Sequence, residues 1–329
     1  MNSKLNFDPK LFNPLRPPSP KKGRSQTAAP PATGAGVYVY SSDIILAVNT
    51  ALATERPLLV MGPPGTGKSS LAKNVAQHLG WRFYQKVVTS RTQAQDLLWT
   101  FDALRRLRDA QTAALKQGKD AAYVQPGVLW WAFDPDSAKH RGGKPSPRGP
   151  FALDPSGSAG GPNAVVLLDE IDKADPDVPN DLLGPLGDGT FEVTDIGQVI
   201  TRQAQRQVLL VITSNDEREL SPAFVRRCIL LTLKAHDRDR LVEIACKHSD
   251  EQGKQDVDLY REIANRVVED REAAEAAGER PPSTAEFLDT VKACRQLGLR
   301  PSSPTWDELS ALALSKFRTS SPPPPPRDF

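Results

Sequence analysis

Residues Gly62-Pro63-Pro64-Gly65-Thr66-Gly67-Lys68-Ser69 match the pattern G-x-x-x-x-G-K-[ST] at every position. The chemistry follows from the residue types. Gly65 and Gly67 permit a tight turn and the close approach of backbone N–H groups to an anion. Lys68 brings a point charge to the β- and γ-phosphates, and Ser69 offers a hydroxyl to Mg²⁺. Ser70 leads into an apolar-periodic segment, so the loop opens a helix whose positive end faces the same anion. Such a loop takes a nucleoside triphosphate. A second pattern, Val165-Val-Leu-Leu-Asp169-Glu170, ends an apolar run in two carboxylates. Asp169 suits the metal beside Ser69, whereas Glu170 points elsewhere and suits orienting or deprotonating an attacking water. Asp172 and Lys173 read as solvated or interface charges. Asn215, at the end of Val211-Ile-Thr-Ser, would bring its amide to the γ-phosphate and that water. Arg226 and Arg227 follow a short helix, and either guanidinium suits the charge developing on a neighbouring subunit's phosphate. Cys228 beside them reads as a small buried residue.

These side chains need a scaffold, and the apolar periodicity supplies one. Pro57–Met61 reads as a short buried strand and 70–79 as a helix ended by Gly80. Ser42 or Asp43 caps an earlier helix running to Leu52. Strands are predicted at Arg82–Val88, Val165–Leu168, Val208–Thr213 and Ile229–Leu233, with a helical run from Ala94 to Leu115. Buried strand packing is expected around Tyr123–Trp131, and Gly184-Pro185 predicts a short or kinked helix. Strands alternating with helices argue for an α/β domain with a mostly parallel sheet flanked by helices. Beyond Lys234 the pattern changes, and 237–247, 257–277, 284–297 and 307–317 read as amphipathic helices. The expected domains are a basic Pro-rich tail over 1–36, an α/β nucleotide-binding domain over 37–234 with a low-complexity insertion at 134–163, a small all-α domain over 235–318 and a Pro-rich tail over 319–329. Lys4, Lys10, Arg16, Lys21, Lys22 and Arg24 face only Asp8 in the first tail, which reads as solvated.

Bulk composition narrows the partners. The 329 residues suggest about two domains, and 39% hydrophobic with 25% charged residues is ordinary for a globular chain. A net charge of +2 makes neither nucleic acid nor an acidic partner the default. Cys228, Cys246 and Cys294 form neither a metal-ligand spacing nor a disulfide framework, which suits a reducing compartment. The apolar runs are too short for a bilayer, and no apolar segment follows Met1, so a cytoplasmic protein without a membrane partner is expected.

Taken together, the segments resemble an AAA+ ATPase. Gly62–Ser69 resembles Walker A, Leu167–Glu170 Walker B, Asn215 sensor 1, and Arg226 or Arg227 the arginine finger. Arg91–Thr100, Asp169-Glu-Ile-Asp-Lys-Ala174, Asn180–Leu183, Thr213–Asp216 and Pro282–Leu288 look like the MoxR-like branch, related to dynein-type AAA modules. The resemblance covers about Val37 to Phe317. It implies a P-loop NTPase core followed by a helical lid, with ATP and Mg²⁺ as ligands. It further implies a homo-oligomeric ring, usually a hexamer, with ATP between the core and lid of one subunit and the finger of the next. Hydrolysis would drive remodelling of a protein client, in this branch often beside a partner carrying a von Willebrand A domain. AAA+ cores also serve nucleic-acid motors or loaders, for which the basic tail is the only support here, and an ATP-gated scaffold is a third reading that Glu170 argues against. One departure stands out: where many relatives carry a sensor 2 arginine, this chain reads Pro282-Ser283-Thr284-Ala285.

Overall fold

The computed structural model describes residues 7–14, 38–111, 120–143, 152–156, 161–249 and 256–314. The 319–329 tail, most of the 1–36 tail and much of the 134–163 insertion lie outside the described residues. Contacts divide the chain into two units. The first is built on Tyr40–Gly62 and Lys68–Thr232 and includes the described residues 7–14; the second is built on the chain from Leu233 onward together with Pro63–Gly67, Tyr38 and Val39. In this division the loop residues 63–67 group with the C-terminal unit.

The first unit is a parallel sheet with helices. Strands β1 (Leu58–Met61), β2 (Arg82–Val87), β5 (Ala164–Asp169), β8 (Val208–Ser214) and β9 (Ile229–Thr232) lie in the order β2-β5-β8-β1-β9, each pair parallel. All of Leu58–Val60 and Val165–Leu168 is buried, as strands covered on both faces require. Register pairs Met61 with Ser214 and Leu168 with Ile212, so the ends of β1, β5 and β8 stand level. The helix α1 (Ser42–Thr54) buries Ile44, Ile45 and Val48 and is capped by the Ser41 hydroxyl rather than by Ser42 or Asp43. Helix α2 (Lys68–Leu79) buries Leu71, Ala72, Val75 and Ala76.

Ala94–Leu115 is not one helix. It divides into α3 (Ala94–Leu98), strand β3 (Trp99–Phe101) and α4 (Ala103–Gln111), and β3 pairs antiparallel with β4 (Val124–Pro126). The aromatic pair Trp99 and Phe101 favours a strand, and the indole of Trp99 donates to Asp195 at 2.7 Å. Trp130 and Trp131 are buried as expected, but on helix α5 (Val128–Phe133), which precedes α6 (Pro135–Lys139). After β5, the helices α7 (Asp177–Asp181) and α8 (Leu183–Asp188) are short, as Gly184-Pro185 predicts. A hairpin of β6 (Thr190–Val193) and β7 (Gln198–Thr201) follows, and α9 (Pro222–Val225) leads into β9. In the N-terminal segment read as solvated, Phe12 is 1% exposed, edge-on to Tyr40 and His78, with its N–H and carbonyl held by Asn49.

The second unit is helical: α10 (Arg238–His248), α11 (Val257–Ala277), α12 (Thr284–Leu297) and α13 (Trp306–Ala313). Leu241, Tyr260, Ile263, Val267, Phe287 and Trp306 form its core. Gly278 and Gly298 end α11 and α12 in the left-handed conformation. Pro282–Ala285 forms the start of α12, where Ser283 and Glu286 exchange side-chain and backbone bonds in a capping box.

Candidate active site

The loop after β1 relies on its glycines. Gly62, Gly65 and Gly67 have φ of 140°, 76° and 89°. A Cβ on Gly65 would lie 2.3 Å from Ser283 Cβ, so that position excludes a side chain on conformational and steric grounds; one on Gly67 would sit tightly, 3.2 Å from the Tyr38 ring, in a conformation that side chains disfavour. Thr66 is buried and donates to the Pro63 carbonyl at 2.9 Å, closing the turn, while Pro63, Pro64 and Ser70 are exposed. Lys68 is only 6% exposed, and its ammonium donates to the Gly62 carbonyl at 2.6 Å. Burial pushes its pKa below the ordinary lysine value, opposed by the fields of Asp172, Asp169, Glu170 and Glu217 in that order.

The sheet brings the polar strand ends together. Because β8 lies between β5 and β1, Thr213 stands beside Asp169 on one side and Val60 on the other. Thr213 is wholly buried; its hydroxyl donates to Asp169 Oδ1 at 2.6 Å and accepts from the Glu170 N–H at 2.9 Å. Ser69 Oγ donates to the same Asp169 Oδ1 at 2.8 Å, and Gln85 reaches Oδ2 at 3.4 Å. Glu170 adopts a left-handed φ of 63°, uncommon for a residue with a side chain. That turn sends its carboxylate away from Asp169, onto Lys173 Nζ at 2.8 Å. Two adjacent side chains from one strand end thus face different partners.

Asn215 follows β8 directly. Its N–H and that of Glu217 both donate to Asp172 Oδ2 at 3.0 Å, and its amide reaches Glu217 at 3.4 Å. Asp172, read from the sequence as a solvated or interface charge, is 3% exposed. Lys68, Ser69, Asp169, Glu170 and Asn215 thus belong to one continuous arrangement in the first unit. Arg226 and Arg227 are exposed beyond α9. Arg227 donates to Ala223 of its own helix at 3.2 Å. The turn carrying them is held by Arg56, whose guanidinium donates to the carbonyls of Arg226, Arg227 and Cys228. Thr213, Asp172 and Arg56 are the residues that sequence reasoning missed. A threonine closing the apolar run Val208–Ile212, and a third carboxylate three residues after Asp169, were the available signals; Arg56 left none.

Ser69 Oγ and Asp169 Oδ1 are two hard oxygens 2.8 Å apart, a donor pair that fits Mg²⁺, which keeps several waters besides. The glycine loop and the buried Lys68 fit a polyphosphate. Among the described residues no helix is long and apolar enough to cross a membrane.

A family profile described as AAA domain (dynein-related subfamily) matches residues 57–228. Chaperone protein ClpB of Propionibacterium freudenreichii subsp. shermanii is 40% identical over 113 residues, which cover 31% of this chain and 12% of that protein. Lon protease homolog 2, peroxisomal, of Pichia angusta is 27% identical over 201 residues, covering 58% and 17% respectively. The chain therefore spans less than a fifth of either relative's length. Among solved structures, a variant of Thermotoga maritima RuvB aligns at 16% identity with a TM-score of 0.36, over 76% of this chain and 66% of that one.

Proposed function

The chain belongs to the dynein-related subfamily of AAA domains, and from that premise we propose that it hydrolyses ATP to ADP and phosphate and works as a ring of identical subunits. The bond sequence from Ser69 through Asp169 and Thr213 to Glu170 carries the reading. It links a metal-binding hydroxyl, a metal-binding carboxylate and the backbone of a water-activating carboxylate, an investment that nucleotide binding alone does not need. Mg²⁺ held by Ser69 and Asp169 neutralises charge on the phosphates when bound. Lys68 and the loop N–H groups hold the β- and γ-phosphates. Glu170 leaves Lys173 to accept a proton from the attacking water, and Asn215 orients that water. Arg226 or Arg227 of the neighbouring subunit completes the site. The C-terminal helical unit serves as the lid, and the residues from Arg91 to Thr100 and Asp169 to Ala174 favour the MoxR-like branch. The work performed is then remodelling of a protein client, in company with a von Willebrand A domain partner.

Steady-state ATP hydrolysis measured against protein concentration tests this. Specific activity that climbs with concentration is the expected result, because sites are completed in trans. Absence of hydrolysis at every concentration, with ATP still bound, would replace the enzyme with an ATP-gated scaffold.

A further inference from the structure

We propose that Asp172 is a positioning residue for ATP hydrolysis, acting through the turn that carries Asn215. The proposal rests on the reading of Asn215 as the group that orients the attacking water. Asp172 lies in the short turn Ile171–Lys173 after β5, three residues beyond Asp169, and only 3% of it is exposed. Burying a carboxylate in this way costs several kcal/mol unless it is well bonded, so its partners identify its task. Oδ2 accepts two backbone N–H bonds of 3.0 Å, from Asn215 and Glu217, across more than 40 residues of chain. Between those two donors stands Asp216, at a left-handed φ of 65°. This region is uncommon for residues with a side chain, and Asp enters it more readily than most. The carboxylate thus straddles this left-handed turn residue and fixes the direction in which the chain leaves β8. Asp216 N–H closes the turn further on Ser214 Oγ at 3.0 Å.

No other side chain among the described residues bonds the Asn215 or Glu217 N–H. Asn215's own side chain has only the 3.4 Å contact to Glu217, a weak bond by length, and so depends on its backbone for placement. Oδ1 of Asp172 makes no hydrogen bond. One oxygen therefore does the positioning, and an amide in place of the carboxylate would still supply it.

That last point yields the test. ATP turnover and nucleotide affinity are measured on the full chain for Asp172→Ala, Asp172→Asn, Asn215→Ala and the Asp172→Ala/Asn215→Ala pair. Asp172→Ala is expected to lower kcat about ten-fold or more while KM and the affinity for a fluorescent ATP analogue change by less than about three-fold. Asp172→Asn should restore kcat to within about three-fold of the parent. The double variant should turn over no more slowly than Asn215→Ala, since Asp172 acts through that residue. Parental kcat in Asp172→Ala beside an impaired Asn215→Ala overturns the proposal alone, as does multiplication of the two effects. An Asp172→Asn variant as impaired as Asp172→Ala assigns the role to the charge and overturns it too. Parental kcat in Asn215→Ala removes the underlying reading of Asn215 instead. Should Asp172→Ala fail to fold, amide hydrogen exchange on the parent decides. The Asn215 and Glu217 amides should be protected, and exchange at free-peptide rates in the folded protein overturns the clamp.

Discussion

Glu170 and Thr213 differ in what they contact: the Glu170 carboxylate meets Lys173, whereas the Thr213 hydroxyl holds Asp169 and the Glu170 N–H together. Replacing Glu170 by Gln keeps the shape and removes the basic oxygen. ATP binding should survive and turnover should fall by about 100-fold or more, as measured by analogue binding beside steady-state hydrolysis. Thr213→Val is nearly isosteric, yet it deletes the hydroxyl that joins Asp169 to the Glu170 N–H. That N–H would be left without its partner, so a loss of about 1–3 kcal/mol in urea unfolding should accompany a fall in kcat. Unchanged stability and turnover together would remove Thr213 from the site. Lys68, Ser69, Asp169 and Glu170 stand out as site candidates from residue type and spacing alone. The contacts of Thr213 and Asp172 are not legible in this way, because their partners lie more than 40 residues away and the local signals, a threonine closing an apolar run and a third carboxylate, do not say what they meet.

At the level of elements, the segments that stand out by periodicity are found where expected. Helices α11 and α12 begin and end at the predicted residues, Val257–Ala277 and Thr284–Leu297. Their ends are marked by the capping residue Ser283 and by Gly278 and Gly298, features that act within a turn of the helix. The run from Ala94 misleads because Trp99–Phe101 finds a strand partner in Val124–Pro126, and pairing overrides local propensity. The N-terminal segment supplies its own lesson. Phe12 sits against Tyr40 and His78 while Asn49 brackets its backbone, so a short piece of an otherwise polar segment is anchored to α1 and α2. Phe12→Ala should cost about 3–5 kcal/mol, read as a lowered urea midpoint. A change below 1 kcal/mol would mean that the anchor contributes nothing to the fold.

For the whole molecule, stability against pH should show two shoulders with different owners. Burial pushes the Cys228 thiol up from 9.0 to about 11, against the field of Arg56. The unfolded chain loses this proton first, so the contribution is complete below pH 9 and falls away as pH rises towards 11, by about 2–3 kcal/mol. Cys228→Ala should flatten that alkaline shoulder in denaturant titrations. In the helical unit, burial and the cations Arg240 and Arg271 hold the His236 imidazole below its usual value, with the Thr66 backbone and Asp237 opposing. The folded state therefore resists a proton that the unfolded chain accepts, and stability should decline as pH drops below about 6.5, less so in His236→Gln. Both groups are single residues whose environment comes from distant parts of the chain, and the same division runs through the protein. The sequence by itself determined the phosphate loop, the paired carboxylates at a strand end and the change from α/β to all-α, because each is a pattern of spacing set by local chain geometry. Only the tertiary structure decided that β8 lies between β5 and β1. That strand order places Thr213 on Asp169 and the Asn215 turn on Asp172, since the register of strands distant in sequence is set by how the sheet packs and not by local spacing.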